Sequence, residues 1–211
     1  MPSFTDISGL AGVASAAVAS ILLLPGVARR TTMLRTGISK LYLAILMGTL
    51  FVLMFAPFGG MPLAAYIRGM TGDLSITTLV LLWCALLRPW GVCVTVKAKH
   101  RSALLILIAL SASVFYPMAL GIGTFDPYRL GYGSLQFVVV LLLLALFAWY
   151  RKSDLMTMCI AFATLAWSTG WYESGNLWDY LLDPFVSVYA VVASLILGIK
   201  KCKKLRLDSR S

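Results

Sequence analysis

The sequence predicts an all-α integral membrane protein, a polytopic bundle of seven transmembrane helices with short interfacial helices on its outer side. Three observations predict it: 60% of the 211 residues are hydrophobic, only 12% are charged, and the apolar residues fall into seven continuous runs. A soluble domain carries about 25% charged residues, and half that charge leaves too little polar surface to cover a globule in water. This composition excludes a soluble enzyme, a disordered chain and a disulfide-stapled secreted domain. A bilayer core about 30 Å thick needs roughly 20 apolar helical residues, and only helices and closed barrels satisfy their backbone groups in lipid. The runs do not alternate with period two, so helices are expected rather than barrel strands.

The first helix is expected over 8–27, in a stretch rich in Ala and Gly. The segment before it holds Asp6 and no Lys or Arg, whereas a signal peptide begins with positive charge. It therefore reads as a retained helix with a translocated N-terminus. The others are expected over 41–58, 75–96, 102–121, 134–150, 155–171 and 184–199, the fifth being the most apolar. Together they make residues 1–211 one integral membrane domain with short loops, followed by a basic cytoplasmic tail over 200–211. Pro117 is expected to kink the fourth helix.

Charge then sets the orientation. Sixteen of the 18 basic residues fall in one set of alternate loops and in the tail, and only Arg68 and Arg129 fall in the other. Asp6, Asp73, Asp126, Glu173, Asp179 and Asp183 share the side of those two arginines, while Asp154 and Asp208 lie opposite. The positive-inside rule places the basic set in the cytoplasm, which gives N-terminus out and C-terminus in. The net charge of +10 is thus an orientation signal, and no nucleic-acid partner is expected. Short loops fit a bacterial inner membrane.

The outer loops carry the main candidate site, beside Gln136 within the fifth run and the basic tail, which could recruit a cytoplasmic partner or phospholipid head groups. Pro62 to Arg68 reads as a short amphipathic helix begun by Pro62 and ended by Gly69 and Gly72, with Asp73 as the N-cap of the third span. Asn176 and Asp179 have capping-box spacing for a second short helix. Asp183-Pro184 reads as a cap followed by a first-turn proline, opening the seventh span, and Asp126-Pro127 repeats the same device before the fifth. These acids, with Arg68 and Arg129, are expected either to cap helices and pair with one another or to form a binding site. Arg offers a planar fork to phosphate or carboxylate, and Tyr66, Tyr128, Trp171 and Trp178 offer stacking faces with a polar edge. The candidate substrate- or partner-binding residues are therefore Arg68, Asp73, Asp126, Arg129, Glu173, Asp179, Asp183, Tyr66, Tyr128, Trp171 and Trp178.

Catalytic chemistry is not legible. One histidine, His100, lies in a basic loop, and Cys84, Cys93, Cys159 and Cys202 show no CxxC spacing. No catalytic residue, metal or cofactor is expected, and no Gly-x-Ser-x-Gly, phosphate-cradling Gly-rich loop or His-Glu-x-x-His is present. No Asp, Glu, Lys or Arg lies near the middle of a run, unlike most proton-coupled transporters. The expected function is a non-catalytic inner-membrane accessory subunit whose polar, aromatic outer face docks a membrane or periplasmic partner enzyme, or an envelope lipid or glycan. An enzyme or flippase for a lipid-linked anionic substrate is the first alternative. A small-solute transporter, with a path reaching Gln136 or Thr49, is the second. Membrane lipids are expected partners throughout.

Overall fold

Helix α1 runs Phe4–Leu23, four residues earlier than expected, because Ser3 and Asp6 cap it reciprocally. The Ser3 hydroxyl accepts from the Asp6 amide at 3.2 Å, and the Asp6 carboxylate accepts from the Ser3 amide at 3.0 Å. The structure is a computed structural model that describes residues 3–24, 37–87 and 97–208, and all their side chains except those of 37–40 and 204–208. Arg29, Arg30, Arg35, Arg88 and Cys93 lie outside the described residues.

Helix α2 runs Gly37–Leu53 and stops short of residue 58. In place of its last turn the chain makes a hairpin. Strands β1 (Pro57–Phe58) and β2 (Met61–Pro62) pair antiparallel around Gly59-Gly60, which take φ of 60° and 96°. A two-residue hairpin loop of the type I′ kind needs positive φ at both central positions, and glycine supplies it without steric cost. Pro62 therefore sits in the strand and at the N-cap position rather than in the first helical turn, and α3 runs Leu63–Thr71. Gly69 lies inside α3, and Gly72 (φ 69°) alone ends it.

Helix α4 runs Ile76–Leu86. Its N-cap is Ser75, whose hydroxyl accepts from the Thr78 amide, and not Asp73, which Arg68 draws away. The rest of the third run, 88–96, lies outside the described residues. Helix α5 runs Ala98–Ala119 and carries Pro117 within its last turn. Ahead of the fifth span, Asp126-Pro127 opens a 3-10 turn over Pro127–Gly131, and α6 (Leu135–Tyr150) follows with Ser134 at its N-cap position. Helices α7 (Asp154–Ser168) and α8 (Leu177–Leu181) come next. Helix α9 runs Pro184–Asp208, so residues 200–208 of the segment expected as a basic tail continue the last helix.

The protein is thus mostly helical. Among the described residues, three stretches are long and apolar enough to cross a bilayer: Phe4–Leu23, Ala98–Ala119 and Pro184–Lys203. Four shorter apolar helices cover Leu41–Leu53, Ile76–Leu86, Leu135–Tyr150 and Asp154–Ser168. Exposed stripes such as Leu142, Leu143 and Phe147 on α6 and Leu195, Ile196 and Ile199 on α9 suit a membrane-embedded protein, since lipid tails are as apolar as they are.

Packing divides into two clusters. One gathers α1, α2 and α3 against Leu86. The other gathers α5 to α9 against Ile76 and Cys84. Helix α4 belongs to both and joins them. The buried side of α1 is built from small residues, with Ser8, Gly12 and Ala16 one turn apart, and this spacing lets a neighbouring helix come close.

Candidate functional site

At one end of the bundle, Arg68 gathers three carboxylates. Ala64, one turn before it, is fully buried and seats α3 against α1. The guanidinium then reaches Asp73 through two parallel bonds, Nε to Oδ1 at 2.7 Å and Nη2 to Oδ2 at 3.0 Å. Asp6 Oδ1 and Glu173 Oε1 each lie 3.5 Å from the same group. The bidentate fork is the strong form of this pair, and the Asp73 carboxylate raises the Arg68 pKa above its ordinary value. Gly9 makes the arrangement possible: a Cβ there would stand 2.5 Å from Asp73 Oδ1 and 2.7 Å from Arg68 Cζ. Nearby, the Ser8 hydroxyl donates to the Trp171 carbonyl, and the Trp171 ring meets Phe4 edge-on at 5.7 Å.

A second group forms around Asp179. Tyr128 Oη donates to its Oδ2 at 3.0 Å, and Ser174 Oγ donates to the same oxygen at 2.5 Å. The expected capping box is only half formed. Asn176 Oδ1 accepts from the Trp178 amide at 3.0 Å, but Asp179 does not reach back to the Asn176 amide, which donates to Ser174 Oγ instead. Asn176 Nδ2 donates to the Tyr128 carbonyl at 2.8 Å, and Trp178 Nε1 donates to the Pro127 carbonyl at 2.9 Å. The Trp178 ring stacks on Phe137 at 4.5 Å. Burial, with the Asp179 hydrogen bond added, pushes the Tyr128 phenol pKa well above its ordinary value.

The third group is Asp183, 5% exposed. Its Oδ2 accepts from Ser75 N at 2.9 Å, Ser75 Oγ at 2.7 Å and Thr78 Oγ1 at 2.5 Å. Its Oδ1 accepts from Val186 N at 2.8 Å and caps α9 as the Asp-Pro pattern predicts.

The eleven candidate residues are therefore distributed. Arg68, Asp73 and Glu173 come together, joined by Asp6, a residue outside those eleven. Tyr128, Asp179 and Trp178 form the neighbouring group. Asp183 is buried apart with Ser75 and Thr78, which only tertiary proximity reveals. Asp126 caps the 3-10 turn through the Tyr128 amide. Tyr66 donates to the Phe58 carbonyl at 2.9 Å and closes the hairpin. Arg129 is exposed, and among the described residues it makes no ion pair, so the two arginines share no carboxylate.

A cavity of about 660 Å³ lies at the seam between the two hydrophobic clusters. Gln136 and Thr49 do not line it. Gln136 is exposed, with its Oε1 3.1 Å from Ser134 Oγ. Among the described residues, no group of three or more His, Cys, Asp or Glu side chains is arranged to hold a metal. No family model, curated protein or solved structure matches the chain.

Proposed function

We propose that this chain is a non-catalytic membrane subunit, with seven helices crossing the bilayer, N-terminus out and C-terminus in, and with an outer rim that docks a partner protein. The observation that carries the reading is the character of that rim. In one loop, Leu120, Ile122, Phe125 and Tyr132 are 83, 69, 54 and 63% exposed, and Arg129 stands among them without a carboxylate partner among the described residues. Protein interfaces are enriched in aromatic residues and Arg.

The neighbouring acids support the same reading. Asp73, Asp179 and Asp183 are occupied by internal donors, so they act as framework for the rim. An enzyme or flippase would need the Arg68 fork open to a lipid-linked anion, and Asp73 already fills it. The partner is a protein on the outer side that presents an acidic, apolar patch.

Two measurements test the proposal. Reporter fusions after Gly72, Gly131 and Gly175 should report the outer side, and fusions after Arg35, Lys99 and Ser211 the cytoplasm. A photoreactive phenylalanine in place of Phe125 or Tyr132 should give one discrete protein adduct in native membranes, lost in Arg129→Glu. The same probe at Leu143 should label lipid alone. Protein adducts of equal yield at all three positions, or none at the rim, would remove the docking reading.

A further inference from the structure

The cavity at the seam is built to stay open. Along α1 it is lined by Val13, Ala16, Ala17, Ser20 and Leu23, which recur at helical spacing on one face. The first four of these side chains are small or short, so along most of its length α1 leaves a gap where larger ones would close onto α4. The opposite boundary includes Tyr189 from the second turn of α9. A volume of about 660 Å³ falls within the roughly 300–1,000 Å³ of small-ligand sites. An apolar void of this size, left empty, forfeits the contacts of every side chain around it. Within a bilayer the abundant apolar filler is a hydrocarbon chain.

The polar groups on the lining are unequal. Thr71 Oγ1 donates to the Ile67 carbonyl, and Thr78 Oγ1 donates to Asp183; both are engaged by their own surroundings. Arg101 is not. It is half-buried on the cavity wall, and the one hydrogen bond of its guanidinium among the described residues runs from Nη2 to Tyr189 Oη at 2.7 Å. A guanidinium has five N–H donors. No carboxylate among the described residues pairs with it. It also stands in the first turn of α5, beside Lys97, Lys99 and His100 and with no acid in that turn. That is the positive end of the helix dipole, where a cation is disfavoured and an anion is held.

We propose that the cavity binds one acyl chain, with its anionic head group against Arg101. The chain lies along the small-residue face of α1, and the carboxylate or phosphate takes the guanidinium donors that Tyr189 leaves free. The head group comes either from a free fatty acid or from an anionic phospholipid. This inference stands on the cavity and Arg101, and does not depend on rim docking.

Purified full-length protein in phosphatidylcholine nanodiscs, supplied separately with palmitate and with phosphatidylglycerol, tests it by native mass spectrometry. We expect one retained ligand per chain in at least one arm, and the arm that retains it identifies the head group's source. Arg101→Gln should lower occupancy about tenfold, the worth of one charge-assisted hydrogen bond. Arg101→Lys should keep part of the occupancy, and Arg151→Gln, which alters an exposed cation, should keep all of it. Ala17→Phe should empty the site by filling it. A diazirine-bearing palmitate on the wild-type protein reads the site without any variant, with adducts expected on α1 and α4. Retention of phosphatidylcholine equal to that of both anions, occupancy unchanged in Arg101→Gln, or adducts confined to the exposed stripe of α6 would each overturn the proposal.

Discussion

Asp183 and Ser75, 108 residues apart, hold the starts of two helices with one carboxylate. Asp183 Oδ2 takes both the Ser75 amide and the Ser75 hydroxyl, while Oδ1 takes the Val186 amide of α9. Ser75 in turn caps α4. The positive ends of α4 and α9 thus converge on a buried acid, which offsets the cost of burying it through charge-assisted hydrogen bonds. Since α4 joins the two clusters, this contact fixes the orientation of one to the other.

Asp183→Ala should therefore be among the most damaging single changes outside the apolar core. It removes the acceptor of four hydrogen bonds and leaves buried donors unpaired, a loss of about 3–5 kcal/mol. Asp126→Ala removes an exposed cap from a 3-10 turn and should cost about 1 kcal/mol or less. Thermal unfolding in mild detergent, followed by fluorescence-detected size exclusion, should place the Asp183 variant far below the Asp126 variant. Equal midpoints would mean that Asp183 does not organise the helix starts.

Gly9 and Arg68 should be energetically coupled. A methyl group at position 9 collides with the Arg68–Asp73 pair, and neither group can retreat without opening the fork. Gly9→Ala should cost about 1–3 kcal/mol. In the Arg68→Ala background the guanidinium is gone and the Asp73 carboxylate, no longer held by the fork, is free to swing away from position 9, so the same change should become nearly neutral or slightly favourable, as alanine is a better helix former than glycine. A double-mutant cycle measures this directly; additive losses would place the clash elsewhere.

These contacts mark how far the sequence could be read. The apolar runs were legible because lipid demands continuous hydrophobicity, and each run contains a helix. The caps were less so. Asp73 and Ser75 are both good N-cap residues, and local chemistry does not choose between them. The choice follows from Arg68, five residues back, which takes Asp73. The start of the hairpin, 57–58, was hidden in the end of an apolar run that looked helical. Asp183 was legible as a cap for α9, but its second role needs Ser75 beside it, which no spacing announces. Nor was the cavity legible, because Ala and Ser at helical spacing read equally well as a tight helix interface.

Alkaline pH should weaken the rim. Burial raises the pKa of Tyr128, Tyr172 and Tyr180 in the folded protein, whereas the unfolded chain ionises its tyrosines near about 10. Below that pH both states hold the phenol protons, and stability is unaffected. Above it the unfolded state releases protons first, so stability falls as pH rises until the folded phenols ionise as well. Unfolding midpoints should be flat from about pH 8 to 9 and decline above about 10. Tyr128→Phe should be less stable at neutral pH, having lost the Asp179 bond, but should decline less steeply. An unchanged slope would remove Tyr128 as a contributor.

Gly131 offers the sharpest connection between packing and the proposed docking rim. Its φ lies outside the positive range, so the backbone tolerates alanine. The obstacle is steric, because a Cβ there would overlap the Asn176 carboxamide and approach Trp178 Cδ1 to 2.8 Å. Asn176 is fully buried, and it ties α8 to the 3-10 turn through the Tyr128 carbonyl. Gly131→Ala should displace it and cost about 1–3 kcal/mol, whereas a Cβ at Gly175 meets nothing within 4 Å and Gly175→Ala should be close to neutral. If the rim docks a partner through Phe125 and Tyr132, Gly131→Ala should also diminish photo-crosslinking at Tyr132, because the turn that carries it loses its anchor. Gly175→Ala should leave the adduct intact. Undiminished crosslinking in a clearly destabilised Gly131→Ala protein would separate the docking surface from this turn.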